Sequence, residues 1–164
     1  MEKVLLGIGA GLFPYSILAT LWLGSRTGNG GVVLIIPAAL TIGLICAVVI
    51  LTLSATRRWA AREAALLSMA VKLAQIPTYL VFFWVGLSGI VMVQFAAVTM
   101  IVWVVDLFTI GISGLAGLAA VLRCRAEGRL ATKTAVLNGI LQFVFCADVF
   151  SAVWVYHKSK EKRV

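Results

Sequence analysis

Three charged side chains, Lys72, Asp106 and Asp148, lie inside or at the edge of long apolar stretches, where an uncompensated charge is costly. Two carboxylates and one ammonium gathered at one membrane depth would leave a single negative charge, which a proton or a cation neutralises. That is the chemistry of an intramembrane ionic site. The remaining question is whether the elements carrying these residues bring them together.

Helical phase places polar companions beside each charge. At about 100° per residue, Ser68, Lys72, Gln75 and Tyr79 form one stripe, and Thr99, Asp106, Thr109, Ser113 and Gly117 form a second. Asn138 and Gln142 are one turn apart, with Asp148 in a broader sector that Phe145 interrupts. A turn at Gly86-Leu87-Ser88-Gly89 would put Lys72 sixteen residues before Ser88 and Asp106 eighteen after it, nearly level in an antiparallel helical pair. Counting outward from Gly128 likewise makes Asp106 and Asp148 level within about a helical turn. The candidate ion- or solute-binding set is therefore Asp106, Asp148 and Lys72, with Tyr79, Thr109, Asn138 and Gln142 as its hydrogen-bonding lining.

Each of these residues also has a structural reading. The Lys72 stem can snorkel to the surface if its span begins near Pro77. Asp148 is eight residues from Tyr156, close enough to a span end for a structural hydrogen bond. Gln75, Asn138 and Gln142 serve equally as interhelical hydrogen bonds. Asp106 lacks such an escape, being remote from Arg123 and from the glycine turn alike, so it must face protein or water.

The elements follow from hydropathy. The 164 residues are 62% hydrophobic and 12% charged, with a mean hydropathy of +1.08, which marks an integral membrane protein. About 20 apolar residues cross a hydrocarbon core of roughly 30 Å. The chain offers five such segments, at about 4–23, 32–53, 66–85, 90–122 and 135–156. The expectation is an all-α polytopic bundle forming one transmembrane domain over 1–164, with no soluble domain. A secretory signal is a poorer reading of the start, because the first apolar run is full length, contains Pro14 and lacks a clear cleavage pattern.

Lysine and arginine collect at 57–63 and 123–133, so those loops and the N-terminus are expected on the cytoplasmic side of a multi-pass protein of the cell membrane. Five spans would then put the basic tail, Lys158 to Arg163, on the opposite side, against the same rule. A re-entrant segment, or an even number of spans with both ends inside, removes the conflict. Trp22, Trp59, Trp154 and Tyr156 lie near predicted span ends, and Arg57, Arg58 and Arg62 around Trp59 suggest a lipid-facing collar.

Enzyme signatures are sparse. The single histidine, His157, assembles neither a metal site nor a catalytic triad. The loop Gly24 to Gly31 lacks the G-K-[ST] ending of a phosphate cradle. Cys46, Cys124 and Cys146 form no C-x-x-C and read as packing residues. The net charge of +8 is read as loops meeting anionic lipid and not as nucleic-acid binding. Gly7 and Gly11 permit close helix approach, and Gly111, Gly114 and Gly117 would permit a kink beyond Asp106.

These features predict transport or permeation of a small cation, proton or polar solute, without a cofactor, by a homo-oligomer or with a partner membrane subunit. The competing expectation is a non-transporting scaffold or accessory subunit whose polar residues hold helices together.

Overall fold

The computed structural model describes residues 2–28, 31, 34–56, 59–91 and 96–160. It is an all-helical bundle: α1 (Glu2–Thr27), α2 (Ile35–Ala55), α3 (Ala61–Val91), α4 (Ala96–Ala126), α5 (Thr132–Leu141) and α6 (Ala147–Lys158). The first four are long and apolar enough to cross a membrane. Polarity is inverted relative to a water-soluble bundle. Leu107 and Phe150 are 71% and 78% exposed, whereas Lys72, Gln75, Thr109, Gln142 and Asp148 are fully buried. Acyl chains can cover such an apolar exterior, and the polar groups find partners only inside.

The long helices are held by small residues that let backbones approach. Gly7 faces Leu67, and Gly11 faces Val71 and Ala74, so the Gly7/Gly11 pair packs α1 against α3 of the same chain. Gly43 of α2 seats the Phe13 ring of α1. Phe13, Ile17, Ala39, Phe82, Val102 and Val105 join four helices in one apolar cluster.

Gly86 and Gly89 depart from expectation. They lie inside α3, which continues to Val91, and do not form its turn. A Cβ on Gly86 would come within 2.7 Å of Trp103 Nε1, and one on Gly89 would overlap Thr99 Oγ1. Their missing side chains are filled by α4, so close packing and not chain reversal explains them. The next helix begins at Ala96, and 92–95 lie outside the described residues.

The glycines of α4 are likewise packing seats in a helix that runs unbroken from Ala96 to Ala126. Phe143 lies over Gly114 and the Gln142 side chain over Gly117, while Gly111 faces open space. The helix is not broken at these glycines, because neighbouring helices supply the interactions that a poor helix former lacks.

The fifth apolar segment differs most from expectation. It is two helices of 10 and 12 residues, α5 and α6, separated by 142–146. Ser151 of α6 hydrogen-bonds to Asn138 of α5 at 2.8 Å, and the Arg129 guanidinium before α5 donates to the Ser159 carbonyl after α6 at 2.6 Å. A straight helix would separate residues 138 and 151 by about 20 Å. The segment is a helical hairpin: it enters the bundle and returns to the same end. Each arm is about 15–18 Å long, half the roughly 30 Å of a hydrocarbon core.

That end collects the basic residues. Glu127 accepts from the Ala61 amide at 2.8 Å and pairs with Arg123 and Arg129 at 2.9 and 3.0 Å. Lys3 pairs with Glu63 at 2.7 Å. Trp59 is 4% exposed and its carbonyl accepts from Arg123, so its ring is internal and forms no lipid-facing collar. Arg57 and Arg58 lie outside the described residues.

Candidate functional site

Lys72 and Asp148 meet. The Lys72 ammonium lies 2.8 Å from Asp148 Oδ2, with both side chains essentially inaccessible, and it also donates to the Gln142 carbonyl at 3.3 Å. The Lys72 side chain is internal, which removes the snorkelling reading.

The position of this pair follows from helix ends. Gln142 is the C-cap of α5, where unpaired carbonyls carry negative partial charge, and Asp148 lies in the first turn of α6, where unpaired amides carry positive partial charge. The ammonium meets the first and the carboxylate the second; Asp148 Oδ1 accepts from the Val149 amide at 2.8 Å. Between them the Ala147 amide donates to the Phe145 carbonyl at 2.8 Å, closing a tight turn about Cys146, whose φ is 64°. Interrupted backbone at membrane depth needs such internal satisfaction.

Gln142 donates from Nε2 to Ser151 Oγ at 3.0 Å, and Ser151 donates to Asn138 Oδ1. These bonds tie the hairpin arms together. Asn138 Nδ2 is spent on the Thr134 carbonyl and the Thr109 hydroxyl on the Val105 carbonyl, each one turn back in its own helix. Gln75 reaches across to α1, donating to the Ala10 carbonyl at 2.9 Å. Pro14, four residues on, has no N–H for that carbonyl, so Gln75 supplies the missing donor. Tyr79 donates to Gln75 Oε1 at 3.1 Å and lies 3.2 Å from Ser113 Oγ.

Asp106 lies beside this network without a hydrogen bond or ion pair to it among the described residues. It shares a cavity of about 200 Å³ with Phe82, Phe83, Gly86, Leu87, Trp103 and Phe145. Its α3 neighbours begin ten residues beyond Lys72, about 15 Å along the helix. The offset has a simple origin. The expected levelling of Lys72 and Asp106 used a turn at Ser88, but α3 extends to Val91, which moves Lys72 deeper on its side and Asp106 nearer the reversal. Asp106 has no ion-pair partner among the described residues, and its buried Oδ1 has no hydrogen-bond partner.

Of the seven residues singled out from sequence, Lys72, Asp148, Gln142 and Asn138 converge at the hairpin. Tyr79 lies in the adjoining hydrogen-bond chain, Thr109 bonds within its own helix, and Asp106 faces a different space. Ser151 went unnoticed because it falls on the opposite side from Asn138 in a continuous helix; only the hairpin opposes them. Trp103 and Phe145 were also missed as companions of Asp106, since aromatic residues in a span ordinarily read as lipid contacts. Among the described residues no group of three or more His, Cys, Asp or Glu side chains converges as a metal site would require.

Comparison with curated proteins and with solved structures finds no match. Residues 4–161 do match a family model, and the chain belongs to that family: the family of unknown function DUF6652.

Proposed function

We propose that this membrane-spanning bundle mediates permeation or transport of a small cation or proton, with Asp106 as the carboxylate that binds or titrates. One observation carries the reading: Asp106 lines a cavity open to the flank of the bundle, beside exposed Phe83, Trp103 and Phe145, and keeps one buried oxygen without a partner. Lys72 and Asp148 neutralise one another. Asp106, half-buried in an apolar helix, is thus the carboxylate whose compensation must come from a ligand, a proton or water. The interrupted helix beside it supports the reading, since transport sites are often built where half-helices end inside the membrane.

In this reading Lys72, Asp148, Asn138 and Gln142 position the hairpin, and Asp106 does the binding. The basic end, with Arg125, Lys133 and Lys160, faces the cytoplasm and anionic lipid. Since α6 returns to that end, Lys158 and Lys160 join the other basic residues there, in keeping with the charge rule. A 17.5 kDa chain has few helices to enclose a continuous path, so a second copy or a partner membrane subunit completes it.

A scaffold role is favoured by a different observation: the Lys72–Asp148–Gln142–Ser151–Asn138 network bonds its members to one another within the chain, as structural hydrogen bonds do, with Gln142 Oε1 left unpartnered. Asp106→Asn separates the two. Under the transport reading the variant elutes as a folded species in detergent, but its thermal stability no longer responds to pH or cations as the wild type's does. Identical pH and cation responses in both proteins would refute the transport reading, and collapse of the fold would assign Asp106 to structural support.

A further inference from the structure

The cavity around Asp106 is selective in its chemistry. Asp106 contributes the carboxylate, and no other side-chain oxygen lines the space among the described residues. A sodium, magnesium or calcium ion leaving water needs several oxygen ligands to replace its hydration shell. One carboxylate among phenyl and indole rings does not provide them. The same wall suits a cation whose charge is spread over alkyl groups, because aromatic faces attract it and no hydration shell has to be replaced.

The rings are placed by distinct elements. Phe82 and Phe83 come from α3, Trp103 from the turn of α4 preceding Asp106, and Phe145 from the hairpin tip. The Trp103 indole lies across Gly86, whose missing side chain makes room for it. Phe145 meets the Tyr79 ring edge-on at 5.7 Å between centroids. On the other side of Phe83 and Phe145 is an apolar cavity of about 390 Å³ that includes exposed Leu80 and Phe150. The two aromatic residues therefore border both spaces, giving a ligand with apolar groups a route from the acyl-chain side.

Resting on the reading of Asp106 as a cation site, we propose that its ligand is a small organic ammonium cation, held by the carboxylate and by the Trp103 and Phe145 rings. Charge complementarity comes from Asp106, and discrimination against inorganic cations comes from the aromatic wall.

The test titrates the purified full chain in detergent with tetramethylammonium chloride, against sodium chloride at equal ionic strength, and reads the apparent Kd from thermal stabilisation. Tetramethylammonium should stabilise the wild type saturably, and progressively less as pH falls and protons compete for the carboxylate. Trp103→Leu and Phe145→Leu should each weaken the apparent Kd by about 2- to 30-fold, and Asp106→Asn should abolish saturable binding. The wild-type pH competition stands even if a variant fails to fold. Sodium or pH responses that depend on Asp106, without a tetramethylammonium response, would overturn the organic-cation proposal while leaving the cation site intact. No Asp106-dependent response to any cation or to pH would overturn both. Unchanged tetramethylammonium affinity in both aromatic variants would overturn recognition by the rings.

Discussion

Breaking the Lys72–Asp148 pair tests whether the hairpin is locked by mutual charge compensation. Lys72→Met leaves the Asp148 carboxylate buried with the Val149 amide as its hydrogen-bond donor; Asp148→Asn leaves the ammonium with the Gln142 carbonyl. Removing one partner of a fully buried pair costs about 3–5 kcal/mol. Polar contacts between membrane helices measure lower, averaging about 0.6 kcal/mol, because partly unfolded helices find other partners. A loss of about 2–4 kcal/mol for each single change is therefore expected. In the double variant both charges are gone, and what remains is an unpaired Gln142 carbonyl at about 1–3 kcal/mol. The two single losses together should exceed the double loss by about 3–5 kcal/mol, at or above the upper end of the roughly 0.5–3 kcal/mol coupling that contacting residues show. Reversible unfolding in mixed micelles gives the three values, and hydrogen exchange over 142–149 shows whether the hairpin opens before the frame. Additive losses, or a Lys72→Met protein as stable as wild type, would refute compensation as the lock.

Gly117→Ala should destabilise the bundle by about 1–3 kcal/mol, because the new Cβ would fall 2.0 Å from Gln142 Oε1, whereas Gly111→Ala meets nothing and should be neutral or slightly stabilising. Equal thermal shifts for the two would show that the hairpin does not seat on α4 there. With the native cysteines replaced by serine, cysteines at Arg125 and Lys160 should label from one face of a sealed vesicle and a cysteine at Thr27 from the other; labelling of 125 and 160 from opposite faces would exclude a returning hairpin. At Glu127 burial raises the carboxyl pKa, but the Ala61 amide, Arg129 and Arg123 outweigh it and hold it below the usual glutamate range. A depressed folded pKa stabilises fully above the unfolded value of about 4.3 and progressively less as pH falls through the folded one. Glu127→Gln should therefore lower Tm at neutral pH and flatten the acid limb of a Tm-against-pH curve; superimposable acid limbs would remove Glu127 from the linkage.

Hydropathy made the membrane class and four of the helices legible, because segment length against bilayer thickness is a one-dimensional property. Helix boundaries were less legible. Gly86 and Gly89 look like a turn in sequence, yet whether a glycine ends a helix or admits a neighbour depends on what lies opposite, here Trp103 and Thr99. That difference shifted Asp106 away from Lys72. The apolar run 135–156 was long enough for a span, and hydropathy does not register reversal in the middle. The clue was electrostatic: basic residues at 129–133 and 158–163 flank the run on both sides, as they would if both ends shared one face. The sequence brought Lys72, Asp106 and Asp148 to one depth and levelled Lys72 with Asp106; that Lys72 pairs with Asp148, and so joins the ends of two half-helices, becomes visible only with the hairpin in place.

The hairpin also imposes an order of assembly. Arms of 10 and 12 residues are too short to cross a bilayer alone, and their tip has backbone groups that lipid cannot satisfy. Insertion therefore requires α3 and α4 to be in place first. Until α6 delivers Asp148, α3 holds the Lys72 ammonium in the bilayer without its partner. A chain not yet extended through α6 thus differs chemically from one that has been, through an unpartnered intramembrane charge, and the arrival of α6 removes that mark.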